Sequence, residues 1–303
     1  MPELPEVETV RRGLNRVTLM QPIRGGDVLL DRTVAYPDSI EKFLNGLQGC
    51  AIAQWHRRGK YLLAQLVQPI STQPISTQAP FESPESSEPP ESLPGGWLGV
   101  HLRMTGQLLW LDQDEPLQKH CRIRLFFDQH RELRFVDQRT FGQLWWVSPD
   151  IQPEEVMGGY AHLGPEPLSD EFSVECLTRS LKRRHRPIKN ALLDQRIVAG
   201  LGNIYADESL FMSRVRPTRL CDRLTRKQFE SLHENIITVL QNSIGEGGTT
   251  FSDFRDVHGV NGNYGQMALV YGREGEPCRV CGQPIQRLKL AGRSTYFCRQ
   301  CQR

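Results

Sequence analysis

Met1-Pro2-Glu3-Leu4-Pro5-Glu6-Val7-Glu8-Thr9 opens the chain, with two prolines and three carboxylates crowded against its terminus. Pro5 suits the first turn of a helix, and Val7, Val10 and Leu14 recur at i, i+3 and i+7. A helix therefore begins here, with Pro2 and Glu3 just before its N-terminus. Residue 2 is small, so Met1 is expected to be trimmed, leaving the secondary amine of Pro2 at the terminus. An α-amino group titrates near ~7.7–8.0 and a lysine near ~10.4, so the terminus is the better nucleophile at neutral pH. Attack by such an amine on an aldehyde-like carbon gives a cationic iminium, an electron sink that weakens the next carbon–oxygen bond. The plain alternative is helix-entry punctuation, with acids placed to suit the helix dipole.

Beyond this helix the segments Cys50 to Arg57, Tyr61 to Val67, Trp97 to Leu102, Gln107 to Leu111, Cys121 to Asp128, Glu132 to Asp137 and Gln143 to Val147 are rich in β-branched and aromatic residues. Their length and turn spacing predict a sandwich or barrel of antiparallel strands. A short helix over Ile40 to Leu47, capped by Ser39, interrupts them. From Ser169 the pattern turns helical. Ser169 is read as the cap of a segment carrying Phe172, Leu177 and Leu181, followed by Ile188 to Asp194, Ile204 to Phe211 and Thr225 to Ile244. Thr225 and Gln228 form a capping box for the last. Gly245 to Gly248 stop it, and Thr249 to Gly265 reads as a mobile glycine-bearing loop. The fold class is α+β: an N-terminal β-sandwich with flanking helices, then a helical domain and a terminal β-hairpin. The divisions expected are 1–148, a linker over 149–168, 169–265 and 266–303.

A chain of 303 residues can bury a substantial core. No apolar run approaches a membrane span and the N-terminus is not a signal peptide, so a cytoplasmic location is expected. The formal net charge of +2 understates the basic character. Residues 68–96 hold Glu82, Glu85, Glu88 and Glu91 without one Lys or Arg, and removing those four acids takes +2 to +6. This insertion opens on a tandem Pro-Ile-Ser-Thr-Gln at 69–73 and 74–78, a composition expected to stay disordered. Positive charge gathers in Arg179, Lys182, Arg183, Arg184, Arg186 and Lys189, and six more basic residues follow Cys278 with no acid among them. Such blocks suit a polyanion, although one basic run is commonly a solvated face.

Cys278-x-x-Cys281 and Cys298-x-x-Cys301 are two short thiolate pairs at opposite ends of an expected β-hairpin, the spacing of a tetrahedral structural zinc site. Four protein ligands leave no open position, so one zinc ion would hold the hairpin and perform no catalysis. Arg293, at the hairpin turn, could reach between phosphates. Gly200-Leu201-Gly202-Asn203-Ile204-Tyr205-Ala206 leads glycines into a helix, which exposes backbone amides to an anion.

Pro2-Glu3-Leu4-Pro5-Glu6-Val7-Glu8, Arg58-Gly59-Lys60-Tyr61-Leu62, His101-Leu102-x-Met104-x-Gly106, Gly202-Asn203-Ile204-Tyr205-Ala206 and the four-cysteine finger together resemble formamidopyrimidine-DNA glycosylase, in order over nearly the whole chain. The resemblance implies a helix-two-turn-helix domain before the finger, and a monomeric bifunctional glycosylase/lyase that removes oxidised purines from double-stranded DNA and nicks the abasic strand. It implies Pro2 as nucleophile, Glu3 as the general acid that opens the sugar, and Glu6 holding the Pro2 nitrogen. Lys60 and Arg293 would serve the same centre through phosphates beside the lesion. His101, Lys189 and Asn203 would contact further phosphates. Met104, Arg139 and Phe141 would fill the space left by a flipped base.

Two departures stand out. Gln138-Arg139-Thr140-Phe141-Gly142 keeps the wedge pair but lacks the family's second arginine, and no family counterpart is mapped for the 68–96 insertion. The lesion-capping loop is expected near Thr249 to Tyr264. Two other readings stay open: an endonuclease VIII-like enzyme for oxidised pyrimidines, from which Leu4 and the wedge separate this chain, and a non-catalytic sensor of DNA damage.

Overall fold

The structure, a computed structural model, describes residues 1–69, 92–249 and 255–303. In chain order the helices are α1 (Leu4–Val17), α2 (Ile40–Leu47), α3 (Pro153–Val156), α4 (Val174–Leu181), α5 (Ile188–Leu192), α6 (Asn203–Met212) and α7 (Arg226–Gly245). The strands are β1 (Gly25–Val28), β2 (Val34–Tyr36), β3 (Ala51–Arg58), β4 (Tyr61–Pro69), β5 (Ser92–His101), β6 (Gly106–Asp112), β7 (Cys121–Phe126), β8 (Arg131–Asp137), β9 (Gln143–Val147), β10 (Gln286–Leu290) and β11 (Arg293–Phe297).

Sheets ordered β1-β7-β8-β6 and β2-β9-β5-β4-β3 enclose one apolar core, and β10 pairs with β11 in the terminal hairpin. The sandwich is not purely antiparallel, because β2 runs parallel to β9. Neither β1 nor β2 is legible in the sequence: Gly-Gly-Asp-Val lacks a strand-like run, and Val34–Tyr36 is only three residues long. They hold their places through long-range pairing, Gly25 to Phe126 and Val34 to Leu144. The insertion is narrower than 68–96, since Gln68 pairs with Leu93 and Pro69 with Ser92. The disorder expected of its centre lies outside the described residues.

In the helical half the cap of α4 is Ser173, which accepts from the Cys176 amide, and not Ser169, whose hydroxyl donates to the Glu166 carbonyl. Both serines precede Leu177 and Leu181, and Phe172, which packs in the helical core, lies between them outside the helix. The capping box of Thr225 and Gln228 forms as expected. Of the glycine-bearing loop, residues 250–254 lie outside those described. The remainder of that loop is anchored, for Val257 is fully buried in the sandwich core and its carbonyl accepts from Trp110. Among the described residues no helix is long and apolar enough to cross a membrane.

The opening helix joins the two halves. Val7, Val10 and Leu14 pack in the sandwich core, whereas Leu4 packs in the helical core and its amide donates to the Gly200 carbonyl. Glu8 fixes the same helix to β3 through Arg57, with Arg11 and Arg12 on its own helix. Burial alone would raise this carboxyl, but hydrogen bonds from Arg11 and Arg12 and the charges of Arg11 and Arg57 hold it at about 2, below its ordinary 4.5. A depressed carboxyl stabilises fully above its unfolded value and loses that contribution as pH falls through the folded one. Glu8→Gln should therefore lower the denaturation midpoint clearly at pH 7, with the gap to wild type closing between about 4.5 and about 2. Urea titrations at a series of pH values would read this; a gap of constant size would refute it.

Candidate active site

Glu3 is the N-cap of α1 and is almost fully buried. Its Oε1 accepts from the Ile204 amide at 3.1 Å and its Oε2 from the Tyr205 amide at 3.5 Å. The carboxylate thus sits on the N-terminus of α6, where orphan amides and the helix dipole favour negative charge. That is why Gly202 precedes the helix: a Cβ there would lie 2.2 Å from Glu3 Cδ.

Glu6 is equally buried and spends its oxygens on protein donors. Oε2 accepts from the Glu3 amide at 2.8 Å, and Oε1 from the Thr249 amide at 2.8 Å and from Tyr205 Oη at 2.5 Å. Burial first, and then the charge of Glu3, push this carboxyl above its ordinary value. Glu6 therefore shapes the backbone at residue 3. Tyr205, whose hydroxyl also meets Ser243 Oγ at 2.6 Å and Thr249 Oγ1 at 2.8 Å, belongs to this centre, although the sequence does not mark it as functional. Its place in Gly-Asn-Ile-Tyr-Ala is a signal, yet a tyrosine in a helix reads first as core.

Lys60 ends the β3–β4 turn, is 8% exposed, and donates to the Leu201 carbonyl at 3.1 Å. Burial lowers its ammonium below the usual lysine range, while Glu3 and Glu6 pull it back up and Arg293 pushes it down. The four charged groups are thus close enough to sense one another across three separate segments of chain. His101 is buried beside Tyr61, ring centroids 4.4 Å apart, and its Nδ1 accepts from the Arg103 amide at 2.9 Å. That bond leaves the proton on Nε2. Burial, Arg103 and Lys60 all disfavour its cation, so the ring is neutral with its hydrogen on Nε2.

Met104, Arg139 and Phe141 are brought together by two loops. The Arg139 amide donates to Thr105 Oγ1 at 3.0 Å and Asp137 Oδ1 at 3.2 Å, and its guanidinium lies 5.1 Å from the centroid of the Phe141 ring. Phe141 is 53% exposed. A cavity of about 540 Å³ is lined by Met1, Met104, Phe141 and Gln143, so the N-terminal residue faces the same space as the two apolar residues. Exposed aromatic surface held by a polar scaffold is suited to insertion into something else.

Lys189 does not fit direct contact with phosphate. It is fully buried, and its ammonium meets Asp207 Oδ1 at 2.8 Å, the Ser294 carbonyl at 2.9 Å and Thr295 Oγ1 at 2.9 Å. Two hydrogen bonds and one ion pair thus hold this ammonium inside the fold. Burial lowers the lysine and lifts Asp207 to about 7, so the pair is costly to keep charged. Asn203 also faces the hairpin, donating to the Ser294 carbonyl at 3.0 Å. The basic block from Arg179 is likewise partly consumed: Lys182 caps the carbonyls of Asp222 and Leu224, and Arg186 pairs with Asp194. Arg293 stays exposed at the tip of the hairpin, beyond the turn at Ala291 and Gly292, both with positive φ.

At the other end of the hairpin the four sulfurs of Cys278, Cys281, Cys298 and Cys301 all lie within 4.8 Å of one another. Tetrahedral thiolate zinc at ~2.3 Å requires sulfurs about 3.8 Å apart, which this cluster meets. The remaining cysteines stand apart from it. Cys298→Ser should reduce bound zinc well below one ion per chain and cost DNA affinity, read by metal analysis and duplex binding; a metal-free protein with full affinity would contradict this.

Family models agree with this arrangement in three successive parts: the formamidopyrimidine-DNA glycosylase N-terminal domain over residues 1–144, the formamidopyrimidine-DNA glycosylase H2TH domain over 163–255, and the zinc finger found in FPG and IleRS over 275–303. The chain is 60% identical over 302 residues to a formamidopyrimidine-DNA glycosylase of Acaryochloris marina, covering 100% of this chain and 99% of that protein. It is 61% identical to one from a Nostoc species, covering 100% of both. Among solved structures, MutM (Fpg) from Thermus thermophilus superposes with a TM-score of 0.81 at 36% identity, covering 99% of this chain and 98% of that one. Lactococcus lactis Fpg in complex with DNA containing an abasic site gives 0.83 at 32% identity, covering 99% of each.

Proposed function

This chain belongs to the formamidopyrimidine-DNA glycosylase family, and from that premise we propose that Pro2, freed of Met1, is the nucleophile of its active site. The protein is a base-excision repair glycosylase of oxidised purines with AP lyase activity, acting as a monomer on double-stranded DNA and carrying one structural zinc ion. Its residue roles are our reading. The Pro2 nitrogen attacks the anomeric carbon of the damaged nucleotide, the bond to the base breaks, and the base leaves. The Pro2 nitrogen, an ammonium after attack, loses its proton as Glu3, held by two amides of α6, takes up a proton and passes it to the ring oxygen; the carbon–oxygen bond breaks and the sugar opens. The resulting iminium acidifies the neighbouring carbon, which loses a proton, and the phosphate on the next carbon leaves with the electrons of its carbon–oxygen bond, severing the strand.

Lys60 and Arg293 hold the phosphates beside the reacting sugar, His101 adds a neutral N–H, and Asn203 faces the same hairpin. Met104, Arg139 and Phe141 replace the extruded base in the stack, which offsets the few kcal/mol of lost stacking that flipping costs. We also read the chain as a catalytic sandwich over 1–148, a linker over 149–168, a helix-two-turn-helix domain over 169–265 and the finger over 266–303, working on chromosomal DNA in the cytoplasm or nucleoid.

The observation that carries the assignment is the convergence of Glu3, Lys60 and α6 beside the N-terminal residue, at the junction of the two cores. Borohydride should trap a covalent complex with duplexes containing 8-oxoguanine, and excision should favour 8-oxoguanine over thymine glycol in side-by-side assays. Preferred excision of thymine glycol would move the substrate assignment to oxidised pyrimidines. Binding without any nicked product would reduce the chain to a damage sensor.

A further inference from the structure

We propose that Asp207 and Lys189 are positioning residues which set the height and register of β11, and through it the place of Arg293 at the lesion. The inference rests on the function just stated. Three side chains of α5 and α6 grip consecutive residues of β11 directly after Arg293. Lys189 donates to the Ser294 carbonyl and to Thr295 Oγ1, Asn203 donates to the same Ser294 carbonyl, and Asp207 Oδ2 accepts from the Tyr296 amide at 2.9 Å. Asp207 Oδ1 closes the clamp on Lys189. One residue further along α6, Glu208 collects the amides of Leu269, Val270 and Tyr271 at 2.7 to 2.9 Å, fixing the segment that leads into the finger.

The first turn of α6 binds Glu3 and the next binds β11, so one rigid helix spaces the general acid from the guanidinium. Simple stabilisation does not account for this choice of residues. A fully buried ion pair is often matched or bettered by apolar residues of similar volume, because both charges must be desolvated. What apolar residues cannot supply is the set of directed bonds that prevents the hairpin from sliding by a residue, and misplacement of a reacting group by about 1 Å can cost ~100-fold in rate.

Single-turnover excision and nicking should be measured for wild type, Asp207→Asn, Arg293→Ala and the double variant Asp207→Asn/Arg293→Ala. We expect Asp207→Asn to be slower by about 10- to 100-fold, with zinc content, melting temperature and the salt dependence of binding to undamaged duplex kept. Because Asp207 acts through Arg293, the double variant should be no slower than Arg293→Ala alone. Should Asp207→Asn lose zinc or melt early, Lys189→Met/Asp207→Leu restores a packed interior without the directed bonds and should show the same non-additive loss. Wild-type rates in a folded clamp variant, or losses that multiply with Arg293→Ala, would overturn the proposal while leaving the function intact. A wild-type chain that neither excises nor nicks would overturn both.

Discussion

A preparation that retains Met1 is expected to form no borohydride-trapped complex, whereas the same chain with Met1 removed should trap efficiently. With Met1 attached, the Pro2 nitrogen is an amide whose lone pair is delocalised, and it cannot attack carbon. Once freed it becomes an amine that is roughly a tenth neutral at pH 7. Everything else at the site is already in place, since Glu3, Glu6 and Lys60 are buried and hydrogen-bonded in the chain that includes Met1. The two preparations should therefore bind duplex DNA alike and differ in trapping by orders of magnitude, with mass spectrometry reporting the terminus. Pro2→Gly keeps an amine but loses the ring that fixes its direction, and its trapping should fall at least about tenfold. Undiminished trapping in either case would remove Pro2 from the mechanism.

The second large effect is expected at a residue with no functional group. Gly202→Ala places a methyl 2.2 Å from the Glu3 carboxyl carbon and 2.4 Å from its Oε1. Glu3 cannot yield easily, for its amide is held by Glu6 and its side chain by α6. Either the carboxylate leaves the helix N-terminus or α6 shifts away from α1, and both separate the acid from the sugar. Loss of a positioned general acid costs ~10²–10⁴-fold, so excision should fall within that range while zinc content and non-specific DNA affinity remain. Glu3→Gln is the matching control, expected to lose the chemistry without the displacement. A Gly202→Ala enzyme with wild-type excision would show that the close approach of Gly202 to Glu3 is unimportant.

Much of the chemistry is legible because it is carried by short runs of sequence. The terminal proline and the paired cysteines announce a type of reaction or ligand from residue identity and spacing, whereas the roles proposed for Glu3 and Lys60 follow from the family resemblance. Errors fall where long-range contacts choose between local options. Ser173 and Ser169 can both cap a helix, and β1 and β2 exist only by pairing with distant strands. Lys189, in a run of six basic residues, is a phosphate contact by family resemblance, whereas Asp207 and the β11 acceptors enclose it in the fold.

The sequence by itself pointed to the terminal amine of Pro2 as a nucleophile, to four zinc-ligating cysteines and to the succession of strands and helices, because each depends on local covalent chemistry, spacing or periodicity; the acid role proposed for Glu3 came with the family resemblance. Only the tertiary structure decided how they meet. It divides α1 between two cores, sets Glu3 on the amides of α6, joins Glu6 to Thr249 and Tyr205, and buries Lys189 as a clamp. Those outcomes turn on which buried polar group finds which partner across some 200 residues of chain, from Glu3 to Ile204. Burial without a partner is costly enough that the completed fold, rather than any local pattern, settles the pairing.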